Sequence, residues 1–161
     1  MSVAAAAFRR ALGAAPSPVT VVTVVDPHGA DHGMTVSAFT SVSLRPPLVL
    51  VCIGEAATIA APMRHAAHFG VSVLGEGQEA LSLLFADRNA RGFDAIPHRR
   101  GPDGSILLDG AAAHLECRVV ARHPAGDHTA IVGEVTYARA TGERPLVHLQ
   151  GRYTAVTPLP D

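Results

Sequence analysis

The segment HGMTVSAFTSVSLRPPLVLVCIG, residues 32–54, contains two different strand patterns separated by two prolines. Residues 33–44 alternate small hydroxyl side chains with apolar ones, which predicts a strand with one polar side. Residues 48–53 are a short uninterrupted apolar run, which predicts a buried strand. Arg45-Pro46-Pro47 interrupts the pattern between them, because proline cannot donate to a strand ladder. The segment therefore indicates a fold rich in β-structure.

Five hydroxyl side chains lie close together in this segment: Thr35, Ser37, Thr40, Ser41 and Ser43. Their neighbours are apolar, so we expect the strand that carries them to be anchored in a core. Hydroxyls and free N–H groups on an anchored edge suit a neutral polar ring system or a phosphate. The same hydroxyls would also suit a strand that merely faces solvent, and both interpretations remain open at this point.

The rest of the chain is predicted to contain five further strands and three short helices. Further strands are predicted at residues 19–25, 69–74, 112–122, 129–140 and 145–156. Short helices are predicted at residues 2–15, at 58–67 with Thr58 as cap, and at 78–86 with Leu81, Leu84 and Phe85 on one stripe. Residues 87–106 are polar and rich in Gly, Pro and Arg, and are predicted to be a loop.

The last three predicted strands follow one another through short turns, which implies antiparallel pairing. No internal repeat and no linker divides the sequence. We therefore predict a single domain over residues 1–161: a closed or nearly closed antiparallel barrel with a few small helices around it.

The composition excludes several mechanisms. The chain has 161 residues and a net charge of −1, and all 13 of its basic residues are arginine. Without lysine it can form no Schiff base and no P-loop contact to phosphate. An anion must therefore be held by arginine, by backbone N–H groups or by hydroxyls. The near-zero charge and the scattered arginines also argue against nucleic acid as a partner.

Cysteine usage and hydropathy indicate the compartment. Cys52 and Cys117 each lie inside an apolar run, which is typical of small buried hydrophobes in a reducing compartment. The apolar run at 48–53 is too short to span a bilayer. We therefore expect a cytoplasmic protein without a membrane partner. The Ala-rich residues 2–15 resemble a transit peptide in composition, but an amphipathic first helix is the interpretation that we favour.

Two motifs invite misleading interpretations. Gly75-Glu76-Gly77-Gln78-Glu79-Ala80 matches a dinucleotide fingerprint, but its two acids would repel a pyrophosphate, and no second parallel strand follows. The histidine pairs His28/His32 and His65/His68 have no nearby cysteine or carboxylate that would complete a ligand set, so we predict no metal site.

Gly126-Asp127-His128 stands at the entry of a predicted hairpin strand. A histidine beside an acid can be oriented by it and kept near its protonation midpoint. A turn in which Asp127 bonds its own backbone is an equally good interpretation of the same three residues.

These segments resemble the flavin reductase-like, split-barrel family. The resemblance runs from Phe8 to Tyr153, and HGMTVSAFTSVSLRPPLVLVCIG (residues 32–54) and AGDHTAIVGEV (residues 125–135) are its most specific carriers. FGVSVL, LECRVV and PLVHLQGRY support it. More closely, the sequence is similar to small NAD(P)H:flavin oxidoreductases that serve as reductase components of two-component monooxygenases.

The resemblance implies a mainly β fold, a six-stranded antiparallel Greek-key split barrel of the FMN-binding type with a few short peripheral helices. It implies FMN or FAD in a groove at a homodimer interface, reduced at N5 by hydride from NADH or NADPH. The flavin wall would comprise Thr35, Val36, Ser37, Ala38, Phe39, Ser41 and Val42. The phosphate end would comprise Ala56, Ala57 and Thr58, with Arg88 or Arg91 adding charge. His128 would contact nicotinamide and flavin as the catalytic residue, and Arg152 and Tyr153 would border the nicotinamide pocket.

A partner is implied as well, because reduced flavin would pass transiently to a monooxygenase. Two alternatives from other classes remain open. One is a flavin-binding or storage module without reductase activity, and the other is a split-barrel FMN oxidase of the pyridoxine-phosphate type.

Overall fold

The computed structural model of the chain describes residues 3–88 and 92–157. Within these ranges the helices are α1 (Ala5–Gly13), α2 (Ala60–His65) and α3 (Glu79–Ala86). The strands are β1 (Ser17–Pro18), β2 (Thr20–Val25), β3 (Asp31–Val36), β4 (Phe39–Leu44), β5 (Pro47–Gly54), β6 (His68–Val73), β7 (His98–Arg100), β8 (Ile106–Leu108), β9 (Ala113–Ala125), β10 (His128–Ala140), β11 (Val147–Leu149) and β12 (Arg152–Thr154). The predicted mainly β fold with a few short helices is confirmed.

The main sheet is antiparallel and runs in the order β3-β2-β6-β9-β10-β5-β4. Its two edge strands, β3 and β4, are separated in the chain by Ser37 and Ala38 alone, so the sheet curls until its edges meet. Among the described residues no ladder joins these edges, and the barrel keeps a seam there. A strand edge with unpaired backbone groups is a place where another molecule can bind.

The sheet has seven strands and not the predicted six. The predicted continuous strand over residues 33–44 is two strands, because the chain changes partner at Ser37-Ala38. Val36 is still paired with Thr20 of β2, whereas Phe39 is already paired with Val51 of β5. The hydroxyl-rich segment therefore forms both sides of the seam.

The barrel interior is filled by apolar side chains that alternate along the strands. They include Val22, Val24, Val49, Val51, Ile53, Phe69, Val71 and Ile131, with Ile59 and Met63 closing one end. Gly133 makes room for the largest of them, since a Cβ at this position would lie 2.6 Å from Cζ of Phe69. Cys117 is also in this core, and burial raises the pKa of its thiol to about 12, so the thiol remains protonated. Cys52 is half-buried.

A second apolar cluster lies outside the barrel, between β2 and α3. Val19, Val21, Leu74, Phe85 and Leu146 belong to it. The β2 strand is thus buried on both sides, which explains its β-branched sequence. The strand predicted at 145–156 is a small hairpin, β11 and β12, which forms a separate sheet with β1.

The predicted loop at 87–106 contains β7 in its described part and ends at the first residue of β8, with which β7 forms a hairpin. A short apolar run, Ile106 to Leu108, begins at its last residue and is almost completely buried. The buried carboxylate of Glu116 secures the connecting turn, because it accepts backbone N–H groups from Asp103 and Ser105 at 3.0–3.1 Å. The interpretation of this segment as loop was therefore wrong for β7 and for Ile106, the first residue of β8.

The predicted first helix is confirmed as α1, but α2 is shorter than predicted. It begins at Ala60 with Ile59 in the cap position, and no side chain caps it, so Thr58 is not its cap. No helix in the described ranges combines the length and apolarity needed to cross a bilayer.

Candidate functional site

A groove made of three adjoining pockets runs along the β3 side of the seam, and no residue of β4 lines it. We call it the seam groove and name each pocket by one residue. The Arg88 pocket is lined by Met34, Thr35, Ala57, Thr58, Phe85, Ala86, Asp87 and Arg88. The His32 pocket is lined by Asp31, His32, Gly33, Thr58, Leu84, Phe85, Arg88, Gly92 and Phe93. The His148 pocket is lined by Val19, Thr35, Ser37, Ser82, His148 and Tyr153.

Shared residues make the groove continuous. Thr35 borders both the Arg88 and the His148 pockets, and Thr58 and Arg88 border both the Arg88 and the His32 pockets. The groove therefore brings together six of the predicted site residues: Thr35, Ser37, Ala57, Thr58, Arg88 and Tyr153.

The hydroxyls of the seam have different roles. Thr35 donates to the carbonyl of Ser82 at 2.6 Å, so its hydroxyl ties β3 to α3. The Ser43 hydroxyl accepts the backbone N–H of Arg45, and Thr40 donates to the carbonyl of Ser41 at 3.3 Å. The exposed hydroxyl of Ser37 has no hydrogen-bond partner among the described residues, and it faces the groove. Ser37 is therefore the seam hydroxyl that is free to bind a ligand there.

The other predicted wall residues contribute differently. Val36 is buried in the barrel core, and its carbonyl accepts the Thr20 hydroxyl. Phe39 packs against the same core, and the carbonyl of Ala38 accepts the N–H of Cys52. Ser41 and Val42 are exposed on β4, outside the three pockets.

The segment Ala56-Ala57-Thr58 leaves β5 in a tight turn, in which Ala57 donates its N–H to the carbonyl of Gly54. Ala56 and Thr58 are exposed, and Thr58 faces the groove together with Arg88. Arg88 supplies the positive charge at this end of the Arg88 pocket, and Asp87 lines the pocket beside it. Arg91, the other predicted cation, lies outside the described residues.

His128 is the first residue of β10 and is paired with Gly54, at the end of β5 from which this turn departs. Its Nδ1–H donates to Asp127 Oδ1 at 2.7 Å, since a carboxylate can only accept. That bond lowers the pKa of the Asp127 carboxyl. Nε2 remains without a partner among the described residues and is directed over Gly54, 3.5 Å from where a Cβ would be. His128 lies outside the three pockets, on the far side of β5 from the seam.

Tyr153 and two residues that the sequence analysis missed form the other end of the groove. Tyr153 donates its hydroxyl to Oγ of the buried Ser82 at 2.9 Å, and the ring edge of His148 packs on Tyr153 with centroids 5.8 Å apart. Arg152 is exposed and lies outside the pockets. His148 could have been found from its place in PLVHLQGRY, whereas nothing local indicated Ser82.

The apolar stripe predicted for α3 was partly wrong, because Ser82 and not Leu84 is buried there. Phe85 is buried and Leu81 is half-buried, but Leu84 is 41% exposed. Ser82 is buried instead, because its hydroxyl and its carbonyl are both bonded across the groove.

The misleading motifs have structural explanations. Gly75 forms a β-bridge with Pro145, and Glu76 pairs with Arg144 at 2.7 Å, so the glycine motif is a turn in antiparallel surroundings. His32 pairs with Asp26 at 3.0 Å, which lowers the pKa of Asp26 to about 2. In the described part of the chain, no three histidine, cysteine or acidic residues are grouped as metal ligands would be.

Residues 12–157 match the family model described as "Flavin reductase like domain". The chain is 40% identical to the stachydrine N-demethylase reductase subunit Stc3 of Rhizobium meliloti, over 92% of this chain and 65% of that protein. It is 43% identical to FMN reductase (NADH) SmoA of Agrobacterium fabrum, over 91% of this chain and 83% of SmoA. Its structure is similar to that of the Streptomyces globisporus NADH:FAD oxidoreductase SgcE6 in complex with NAD and FAD fragments. The TM-score is 0.89 at 40% identity, and the match covers 96% of this chain and 93% of SgcE6.

Proposed function

The chain belongs to the flavin reductase-like family, and we propose that it uses NADH to reduce FMN or FAD in the seam groove. The observation that carries this proposal is the continuous groove along the open barrel edge, lined by the free Ser37 hydroxyl and by Arg88. Stc3, SmoA and SgcE6 are named as a reductase subunit, an NADH-dependent FMN reductase and an NADH:FAD oxidoreductase, which supports the same activity.

The residues of the groove fit a flavin chemically. A flavin is a flat ring system with a polar edge and a phosphate-bearing chain, so it needs an apolar wall, hydrogen-bonding groups and a cation. Met34 and Phe85 supply the apolar wall, and Ser37 supplies a free hydroxyl. Thr58 and Arg88 supply a hydroxyl and a guanidinium at the other end, where they would hold the phosphate.

The chemistry requires positioning and electrostatics from the protein, and no nucleophile. The residues of the seam groove would hold the flavin, which would supply N5 as the acceptor for hydride from the reduced nicotinamide. The strand edges that line the groove would hold the two rings in contact, which is what a near-attack geometry requires. His128 lies outside the three pockets, so its role requires a bound nicotinamide cofactor to reach past the groove to the end of β5. Its Nε2, oriented by the bond to Asp127, would then donate to the reactants, and delivery of a proton is a second role open to it.

Steady-state consumption of NADH tests the proposal. The purified protein is mixed with NADH and with FMN or FAD, and the loss of reduced nicotinamide absorbance is followed. We expect flavin-dependent loss. A protein that binds flavin without consuming NADH would instead be the flavin-storage module, and one that binds FMN tightly and reduces oxygen with a small substrate would be the oxidase of the pyridoxine-phosphate type. NADPH in place of NADH shows which donor is preferred.

We also propose a homodimer that hands reduced flavin to a monooxygenase in the cytoplasm. Val42 and Leu44 of the edge strand β4 are 53% and 81% exposed, which is unusual for apolar side chains side by side and supports an interface there. A second copy over β4 would also cover the seam.

The cytoplasmic location rests on the cysteines. The free thiols Cys52 and Cys117 suit a reducing compartment.

A further inference from the structure

Ser82 is a polar residue on the buried face of α3, where the local pattern favours an apolar one. It and Phe85 are the two buried residues of this helix, and Ser82 is 1% exposed. A buried hydroxyl costs free energy unless it is hydrogen-bonded, and serine is a weaker helix former than alanine or leucine. An apolar residue at position 82 would therefore suit the helix better. Exceptions of this kind are expected where a side chain has a role beyond folding.

Ser82 is hydrogen-bonded to two other elements that line the seam groove. Tyr153 of β12 donates its hydroxyl to Oγ of Ser82 at 2.9 Å. Thr35 of β3 donates its hydroxyl to the carbonyl oxygen of Ser82 at 2.6 Å. All three residues line the His148 pocket. A single residue of α3 therefore sets the separation between β3 and β12 at this end of the groove.

The position of β12 depends on the bond between Tyr153 and Ser82. β12 is the outer strand of the small sheet β1-β11-β12 and pairs with β11 alone. In the described ranges, no other side-chain hydrogen bond joins residues 147–155 to the rest of the chain. Tyr153 also packs against the apolar cluster outside the barrel, but apolar contacts have no direction. The hydrogen bond is therefore what fixes the orientation of the Tyr153 ring.

We propose that Ser82 is a positioning residue for hydride transfer, which acts by holding Tyr153 and Thr35 at a fixed separation. The inference rests on the proposed function, in which flavin is reduced in the seam groove. Because Ser82 is buried and already bonded to both residues, it acts through the groove walls and not by touching a ligand. Hydride transfer depends steeply on the distance and alignment of the two rings. A groove of variable width would therefore lower the rate of transfer more than the affinity for flavin.

A double-mutant cycle in the full-length protein tests the proposal, with Ser82→Ala, Tyr153→Phe and the double variant. Each single substitution removes one partner of the same hydrogen bond. Thr23→Val is the matched control, because the buried Thr23 hydroxyl donates to the carbonyl of Ile106 at 2.7 Å and lies outside the three pockets. The measurements are the rate of flavin bleaching at saturating NADH without oxygen, the flavin dissociation constant by fluorescence, and the melting temperature.

For Ser82→Ala and for Tyr153→Phe we expect the bleaching rate to fall about fivefold, the effect of losing roughly one neutral hydrogen bond. The flavin dissociation constant should stay within about twofold of the wild type, since the residues that contact the flavin are unchanged. The double variant should be no slower than the slower single variant, because both substitutions break the same bond. Thr23→Val should lower the melting temperature at least as much as Ser82→Ala does, and it should leave the rate unchanged.

Unchanged rates in the single variants, or additive losses in the double variant, would overturn the proposal. An equal slowing by Thr23→Val would also overturn it, because the effect would then follow from any lost buried hydrogen bond. A weaker affinity for flavin at an unchanged rate would assign Ser82 to binding and not to transfer. A wild type that does not reduce flavin with NADH would refute the proposed function itself, whereas an active wild type with unaffected variants would refute only the role of Ser82.

Discussion

At the scale of single residues, His128 and Asp127 form a pair at the tip of the β9–β10 hairpin. The 2.7 Å bond fixes the ring so that Nε2 is directed over Gly54. We predict that His128→Ala lowers kcat/KM for flavin reduction about tenfold, the effect of losing roughly one orienting hydrogen bond. Steady-state kinetics with NADH and flavin measure it. Unchanged kcat and KM would remove His128 from the mechanism.

Asp127→Asn is the matched variant for that experiment. The side chain of Asp127 is 94% exposed, so water screens its charge, and the amide can still accept the Nδ1–H bond. We expect an effect of no more than about twofold, measured in the same assay. A loss as large as that of His128→Ala would mean that the negative charge itself is needed.

His114 is a buried residue that makes stability depend on pH. Its ring accepts from Arg99 at 2.9 Å and donates to the carbonyl of Leu108 at 2.7 Å, so it must stay neutral. Burial lowers the pKa of His114 in the folded protein. The unfolded chain therefore takes up a proton at a higher pH than the folded protein does. The stability that neutral His114 contributes is complete above a pH of about 6.5 and is lost as the pH falls below that value.

We predict that urea unfolding between pH 7.5 and pH 5 shows a smaller loss of stability for His114→Gln than for the wild type. Glutamine can still donate to Leu108 but cannot take up a proton in this range. His65→Gln, a change of an exposed histidine on α2, should leave the pH dependence unchanged. Equal pH dependence in wild type and His114→Gln would contradict the account.

At the scale of secondary-structure elements, β10 can pass across Phe69 because Gly133 has no side chain. A Cβ there would lie 2.6 Å from the Phe69 ring and 2.8 Å from Cβ of Cys117. Gly133→Ala should therefore destabilise the protein by about 1–3 kcal/mol through overpacking. Denaturant unfolding measures it, and Phe69→Leu in the same chain should recover part of the loss.

Gly13→Ala is the control for that substitution. Its nearest neighbour would be 3.9 Å away, and alanine favours the helical conformation of α1, so we expect an unchanged or slightly higher stability. If Gly133→Ala were as stable as Gly13→Ala, the packing described for the barrel would be wrong.

The sequence predicted those features whose residue pattern lies within a few neighbouring positions, and it missed those that depend on partners far away in the chain. The apolar run of β5 and the alternating residues of β6 and β10 carry their pattern within a few residues, so these strands were found. The split at Ser37-Ala38 depends on which strand each half pairs with, and a local pattern does not contain that. Ser82 was missed because its partners Thr35 and Tyr153 are 47 and 71 residues away. The β7–β8 hairpin was missed because Glu116, which secures its turn, lies in another strand.

At the scale of the whole molecule, the exposed edge of β4 connects assembly to the site. If a second copy covers Val42 and Leu44, Leu44→Glu should turn a dimer into a monomer, because it would place a charge inside an apolar interface. Light scattering after size-exclusion chromatography measures the mass. Val120→Glu, at an apolar position of β9 that is 43% exposed, should leave it unchanged. A wild-type monomer, or a Leu44→Glu dimer, would refute the proposed interface.

The central proposal for the whole molecule is that flavin is reduced in the seam groove. The most direct measurement is the bleaching of the visible flavin absorbance by NADH without oxygen. It compares the wild type with Ser37→Trp, whose bulky side chain would fill the groove at the end of β3, and with His28→Trp as control. The account predicts rapid bleaching with the wild type and with His28→Trp, and little with Ser37→Trp. No bleaching with the wild type, or equal bleaching with Ser37→Trp, would contradict it.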